Sequence, residues 1–438
     1  PTPLPNPTDA AMNRFLVFLV IIGGGLSAVA QVVNQEQVVT VTGGAALWVQ
    51  TDLTNRGDVA NDGQIRIVGN LRNENTLDNR SVLVCSGNAT NTGRLNNDQL
   101  LLLRGDWQNT GTYQPGSAER FVLMGNNQTV GHGGQSFNRL VVRNGGDKTF
   151  AQSATVAQQL VLGEGLLTPM AGTDFLLAGE AIVDSASQDS YVNGRLLRQG
   201  TAARLYPVGR NGTYAPMLLL AEEGAETNSD AVIVAAEVMS PGTSEVDASL
   251  SRISTVRVWQ TQAVRGTTNA RVGLSVLPDE EIVIPDSTVV AYAPDANTPF
   301  TSLGQSQVRM TAAVPALGSF KAAGAGRLAL GVLSSPDKSG LVYVPNAFAP
   351  SSAHEEERVF KLYGVNIASE GLELVVYNRW GNVVFKSRSY EQITRTGWDG
   401  RNQATQADEP PGVYTYALRG TLDTGRSIQR TGTVTLLR

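Results

Sequence analysis

Apolar residues in the first half of the chain fall into columns eighteen positions apart. Asparagine marks the period most plainly, at Asn55, Asn73, Asn91 and Asn109. Alignment on these residues divides the segment into rungs 51–68, 69–86, 87–104 and 105–122. Leu53, Leu71, Ala89 and Trp107 then stand two residues before the asparagine, and Val59, Leu77, Leu95 and Tyr113 four after it. Ile65, Leu83 and Leu101 form a third apolar column, and Ile67, Cys85, Leu103 and Phe121 a fourth. Stacked coils bury like side chains one above another, so the columns predict a parallel β-solenoid with eighteen-residue coils. Gly57, Gly93 and Gly111, with Asn75 in the remaining rung, mark a corner with residues that accept left-handed backbone. The aligned asparagines are expected to stack their amides and satisfy corner backbone groups rather than hold a ligand. Four coils make a rod of about 19 Å at strand spacing. A right-handed wind is the default for parallel crossovers. Eighteen-residue coils also occur in left-handed solenoids, so the hand stays open.

After 122 the strict period fades while short strands between Gly/Asn turns continue, as in Gln128–Gly131, Phe137–Val142 and Gln159–Leu162. The solenoid is placed at 31–198, with Val38–Gln50 as its N-terminal cap or first coil. From 199 to 335 the pattern changes to short runs such as Leu205–Gly209, Tyr214–Leu220, Val232–Val238, Val256–Trp259 and Leu328–Val332. Their spacing predicts a middle antiparallel β-sandwich. Residues 336–340, Pro-Asp-Lys-Ser-Gly, form a polar linker. The segment 341–438 alternates apolar and polar residues over short runs, notably Leu372–Tyr377 and Val383–Phe385, and predicts a second small sandwich with an immunoglobulin-like layout. The whole chain thus reads as all-β.

The N-terminus adds an export signal. After Met12, Arg14 precedes an apolar run from Phe15 to Ile22, and small residues end at Ala28-Val29-Ala30. This predicts a start at Met12 and cleavage after Ala30, with residues 1–11 as upstream sequence. The apolar run is too short to span a bilayer comfortably.

Residues of the last segment carry a resemblance. Pro345, Asn346, Phe348 and Pro350 open it. Asn378, Arg379, Trp380, Gly381 and Asn382 follow as a polar turn, then Trp398 and Gly400, then Gly412, Tyr414 and Tyr416, and finally Gly432 and the terminal Arg438. In that order they resemble the gliding-motility-associated C-terminal domain of Bacteroidetes proteins. That resemblance implies a sorting domain read by the type IX secretion translocon at the outer membrane. It implies passage across the inner membrane, then the outer, to the cell surface or medium. The relatives' Asn/Gly/Asp-rich turn after Pro350 is replaced here by Ser351 to Glu357. Taken by type alone, Trp380, Trp398, Tyr414 and Tyr416 read as core aromatics, and Gly381 and Gly400 as turn glycines. The stretch from Gly125 to Asn144 also resembles solenoid segments of large Bacteroidetes surface proteins.

Composition narrows the chemistry. A net charge of −5 supplies no basic footprint for nucleic acid. One cysteine excludes an internal disulfide framework, and Cys85 lies in an apolar column. With two histidines, no metal or cofactor site is assigned, and no catalytic residue is named. His132, in a Gly-rich turn, and His354, beside a Glu run, read as solvated. Asp279-Glu280-Glu281 and Glu355-Glu356-Glu357 read as exposed acidic turns without the alternating spacing of a calcium loop. The expected function is that of a secreted or cell-surface, non-catalytic structural or adhesive protein. Its expected partners are glycans, surface proteins or further copies of itself. The alternative is a secreted β-helix carbohydrate-active enzyme, a lyase or hydrolase whose paired carboxylates need not be adjacent in sequence.

Overall fold

A computed structural model describes residues 31–221, 232–242, 244–280, 287–310, 314–334, 342–364, 367–423, 425 and 427–438. The export-signal reading of 1–30 and the linker at 336–340 lie outside these residues.

The first part is a parallel β-solenoid of about nine turns, and the fold is all-β. Its early coils have three faces. In the first described coil these are Gln31–Asn34, Val38–Val41 and Ala46–Val49, and in the second Asp52–Asn55, Asp58–Asn61 and Gln64–Ile67. Val38–Val41 therefore belongs to a complete coil, paired in register with Asp58–Asn61. Register follows the eighteen-residue period: Leu53 pairs Leu71, Ala89 pairs Trp107, and Leu83 pairs Leu101. Each apolar column becomes a buried ladder, with Ile65, Leu77, Leu83, Cys85, Leu95 and Leu103 fully inaccessible. Burial raises the Cys85 thiol to about 11, which leaves it an inert packing group.

Two asparagine ladders run through the interior. In the first, each side-chain amide donates to the next: Asn34 to Asn55 and Asn55 to Asn73 at 2.8 Å, then Asn73 to Asn91 and Asn91 to Asn109 at 2.7 Å. The same nitrogens donate to backbone carbonyls, as Asn55 does to Thr76 and Asn91 to Thr112. The second ladder, Asn61 to Asn79 to Asn97, repeats the arrangement one corner on. A buried amide costs free energy unless its hydrogen bonds are made, and stacking at the strand repeat makes them.

The second face ends with Thr112–Pro115, where the outer strands merge into longer ones, Ser136–Val142 and Ala154–Leu162. Glu119 closes this break. Its carboxylate accepts the Tyr113 hydroxyl at 2.7 Å and the backbone N–H groups of Asn138 and Arg139 at 3.0 and 2.7 Å. Beside it Trp107, Phe121 and Phe137 pack edge-on, and His132 lies within the cluster. His132 is thus not a solvated turn histidine. Its ring is inaccessible, stacks on Phe137 and accepts a hydrogen bond from the Trp107 indole at 3.0 Å on Nδ1. Desolvation lowers its pKa to about 3, so it stays neutral. One coil later Lys148 is equally buried, its ammonium donating to the carbonyls of Gly125, Asn126 and Gly145.

Past Leu196–Gln199 the third-face sheet continues, but antiparallel, into Ile233–Met239, Val258–Arg265, Arg327–Leu333 and Thr288–Ala293. A second, five-stranded sheet holds Arg204–Tyr206, Met217–Leu219, Val272–Ser275, Ala316–Gly318 and Ser306–Gln307. One hydrophobic core runs from Val41 to Val332 across the position where the sequence pattern changes. Within this module Glu280 is not an exposed acid. It is buried, bonded to the Ser254 hydroxyl and paired with the near-buried Arg257, which also meets Asp279.

The last part has its own core. Its five-stranded sheet orders Ala347–Phe348, Ser427–Leu436, Gly412–Thr421, Glu373–Tyr377 and Val383–Ser387, with the first pair parallel and the rest antiparallel. A two-stranded ribbon, Val342–Tyr343 with Tyr363–Gly364, contributes to the same core.

Candidate functional site: the C-terminal domain

The motif residues of the C-terminal segment divide into an internal set and an external one. Phe348, Trp398, Tyr414 and Tyr416 are buried and form the aromatic centre with Phe360. Trp398 contacts Phe348 at 5.2 Å and Tyr414 at 5.0 Å between ring centroids, and Phe360 meets Tyr416 at 5.5 Å. The Trp398 indole donates to the Arg401 carbonyl at 2.7 Å, and the Tyr414 hydroxyl to that of Pro410 at 2.7 Å. Each ring is thus held by packing and by a polar tip.

Gly400 follows Trp398 in left-handed backbone, φ 85°, and a Cβ there would press on Leu436 and Pro350. That close approach explains both the glycine and the proximity of Pro350 to the last strand. Gly432 faces Tyr416 across the sheet, and a Cβ would stand 2.7 Å from the tyrosine hydroxyl. The ring therefore lies over the glycine.

Pro345 and Asn346 are at the surface. The Asn346 carbonyl accepts the Thr435 N–H at 2.9 Å and the Phe348 carbonyl that of Leu437 at 2.9 Å, which ties the opening motif to the final strand. Arg438 pairs with Asp408 at 3.0 Å and reaches the Gly400 carbonyl at 3.3 Å. Arg401 approaches the same carboxylate at 3.4 Å, and the Arg438 hydrogen bond foremost holds the Asp408 pKa below its usual value.

Asn378 to Asn382 make the turn between Glu373–Tyr377 and Val383–Ser387. The Asn378 side chain accepts the N–H groups of Trp380 and Asn382, both at 3.0 Å, and Gly381 takes φ 79°. Trp380 is not a core residue: it stands 80% exposed at the tip. An asparagine-closed turn projects its central side chains outward, whatever their hydrophobicity. Arg379 is also exposed, with its guanidinium close to Gly412. Val383, Val413 and Leu437, all about half exposed, are further apolar residues left uncovered in this domain.

The asparagines singled out in the solenoid, Asn55, Asn73, Asn91 and Asn109, are each fully buried with amides directed at neighbouring coils and backbone. His354 is exposed, and Glu355–Glu357 form an exposed 3-10 turn. Among the described residues no group of three or more His, Cys, Asp or Glu could hold a metal ion, and no helix is long and apolar enough to cross a membrane.

No curated protein and no solved structure matches the chain. Residues 342–436 match the family model described as the CHU_C type IX secretion signal domain, and the C-terminal part of this protein is such a domain.

Proposed function

We propose that this is a secreted or cell-surface protein of structural or adhesive role, without catalytic activity, delivered through its C-terminal domain by the type IX secretion machinery. The observation that carries the reading is the match of 342–436 to the secretion signal domain. Support comes from the division of its motif. The aromatic residues build a self-sufficient core, while Arg379, Trp380 and Asn382 stay on the surface, where a receptor at the outer membrane can read them. The solenoid and the antiparallel module after it are then the cargo, which takes glycans, surface proteins or other copies as partners.

The hydrolase form of the enzymatic alternative needs two facing carboxylates on a solenoid face. The outward groove on the third face is lined by several arginines and a single carboxylate, Asp184, a composition suited to holding a ligand rather than to hydrolysing one.

Deletion of 341–438 tests the export reading. The truncated chain is expected inside the cell envelope, with the full chain at the surface or in the medium. Unchanged export of the truncated chain overturns it.

A further inference from the structure

The third solenoid face carries an aliphatic stripe on its outward side. Trp48, Val84, Leu102, Val122, Val141 and Val161 occupy one column, with Arg66 between the first two. Seven strands at the usual spacing make this column about 29 Å long. Over its middle the surface forms a groove of about 430 Å³. Arginines border it on both sides: Arg120 and Arg139 stand one residue before the paired Phe121 and Leu140, and Arg143 follows Val142, while Arg104, just outside the groove lining, follows Leu103 at the corresponding outward position.

These four arginines differ from others of the solenoid. Arg56, Arg72 and Arg80 are engaged by Glu74, Asp62 and Asp78. Among the described residues Arg104, Arg120, Arg139 and Arg143 make no ion pair and no side-chain hydrogen bond. Asp184 is the one carboxylate lining the groove, and Glu119 lies buried below Arg139 with its oxygens already engaged. A row of unpaired guanidiniums in a chain of net charge −5 is a local reversal of sign, and it attracts anions.

We propose that this face binds an extended anionic polysaccharide. Its carboxylate or sulfate groups are taken by the arginine rows, and its ring faces lie on the half-buried Val84, Leu102 and Val161 and on Trp48, which is 60% exposed and has the Arg66 guanidinium 5.3 Å from its ring. Neighbouring strands place charges about 4.8 Å apart and alternate strands about twice that, steps of the order of one and two pyranose units. An acyl chain fits less well, because Val122 and Val141 are only 9% and 8% exposed and offer little apolar area. Stacking of nucleic-acid bases needs a series of aromatic platforms, and Trp48 is the only aromatic in the column. The proposal deepens the adhesive part of the reading above and is independent of the export route.

Affinity electrophoresis and calorimetry of the full chain test it, with polygalacturonate and dextran sulfate as probes and neutral dextran, single-stranded DNA and vesicles of anionic phospholipid as comparisons. Binding to at least one polyanionic glycan is expected, weakening with salt. It should fall roughly tenfold or more in Arg120→Gln/Arg139→Gln and again in Arg104→Gln/Arg143→Gln, as loss of charge-assisted bonds requires. Arg56→Gln/Arg72→Gln, on another face, is expected to bind as the parent does. A melting curve for each variant shows that it folds. Equal retention on neutral dextran, unchanged binding by both groove variants, or tighter binding of DNA or vesicles overturns the proposal. Failure here with export intact leaves the secretion reading standing, and the truncation experiment reads that separately.

Discussion

Replacement of Asn73 by alanine measures what the amide ladder contributes. The Asn73 side chain takes part in four hydrogen bonds: it accepts from Asn55 at 2.8 Å and donates to Asn91, Arg94 and Asn75 at 2.7, 2.9 and 3.0 Å. The amide nitrogen has only two hydrogens for its three acceptors, so two of these bonds share one hydrogen; at about 1 kcal/mol of net stability per full bond, Asn73→Ala costs about 3 kcal/mol. Asn61 supplies the internal comparison, because it starts the second ladder opposite Val41 and its side-chain oxygen is buried without a partner. It makes only two bonds, to Asn79 and Val82. Asn61→Ala removes those two and also an unsatisfied acceptor, so its cost is about 1 kcal/mol. Both substitutions delete the same atoms from fully buried positions, and the cavity penalties largely cancel in the difference. A solenoid next to separate modules does not unfold in one step, so a single melting temperature is a poor gauge. Hydrogen exchange read on peptides covering 51–104 gives the local opening free energy instead. Equal loss of protection in the two variants refutes the reasoning, since stability would then follow volume alone.

Other consequences are open to direct measurement. Burial raises the Glu119 pKa from 4.5 to about 7 against the pull of its donors, so its contribution is full below about pH 4.5 and is lost as pH rises through about 7; Glu119→Gln is expected to flatten the pH dependence of the local opening free energy of peptides covering 113–139 across that window, and a slope like the parent's contradicts this. Lys148→Met strips a donor from three backbone carbonyls and is expected to cost about 3 kcal/mol, read as faster hydrogen exchange in peptides covering 125–150; unchanged protection there counts against this. Trp398→Ala should destabilise the C-terminal domain by about 3–5 kcal/mol, while Trp380→Ala should change it by less than about 0.5 kcal/mol. Calorimetry of the pair checks the contrast, and similar losses would mean that Trp380 is packed after all.

The solenoid was legible because its chemistry repeats: eighteen-residue spacing places like residues in contact, and columns in the sequence become ladders in space. The second ladder was equally visible in principle, since Asn61, Asn79 and Asn97 recur at the same interval six residues after Asn55, Asn73 and Asn91. The arginine groove could likewise be found by alternation, at the outward positions of 100–104, 120–124 and 139–143. Other features depend on partners that no local pattern announces. His132 sits among glycines like a turn residue, yet Trp107, twenty-five positions earlier, and Phe137 enclose it. Glu280 is drawn inward by Ser254 and Arg257. Trp380 failed in the opposite direction, because residue type suggested burial while the turn made by Asn378 directs it outward.

The two halves of the continuous core differ in how far the chain must search to build them. Each early solenoid coil closes on residues about eighteen positions back, so a coil can form on its predecessor as soon as it becomes available. The antiparallel module joins Leu250 to Leu333 and cannot be completed until that distant strand arrives. Non-local pairing is slow, and a half-built sheet leaves an open edge while it waits. The early coils can therefore form without the module, whereas the module's sheet is built on the edge that the solenoid presents at Leu196–Gln199. Until Arg327–Leu333 docks, the open edge is that of Val258–Arg265, and there the half-built sheet is most prone to pair with the wrong chain.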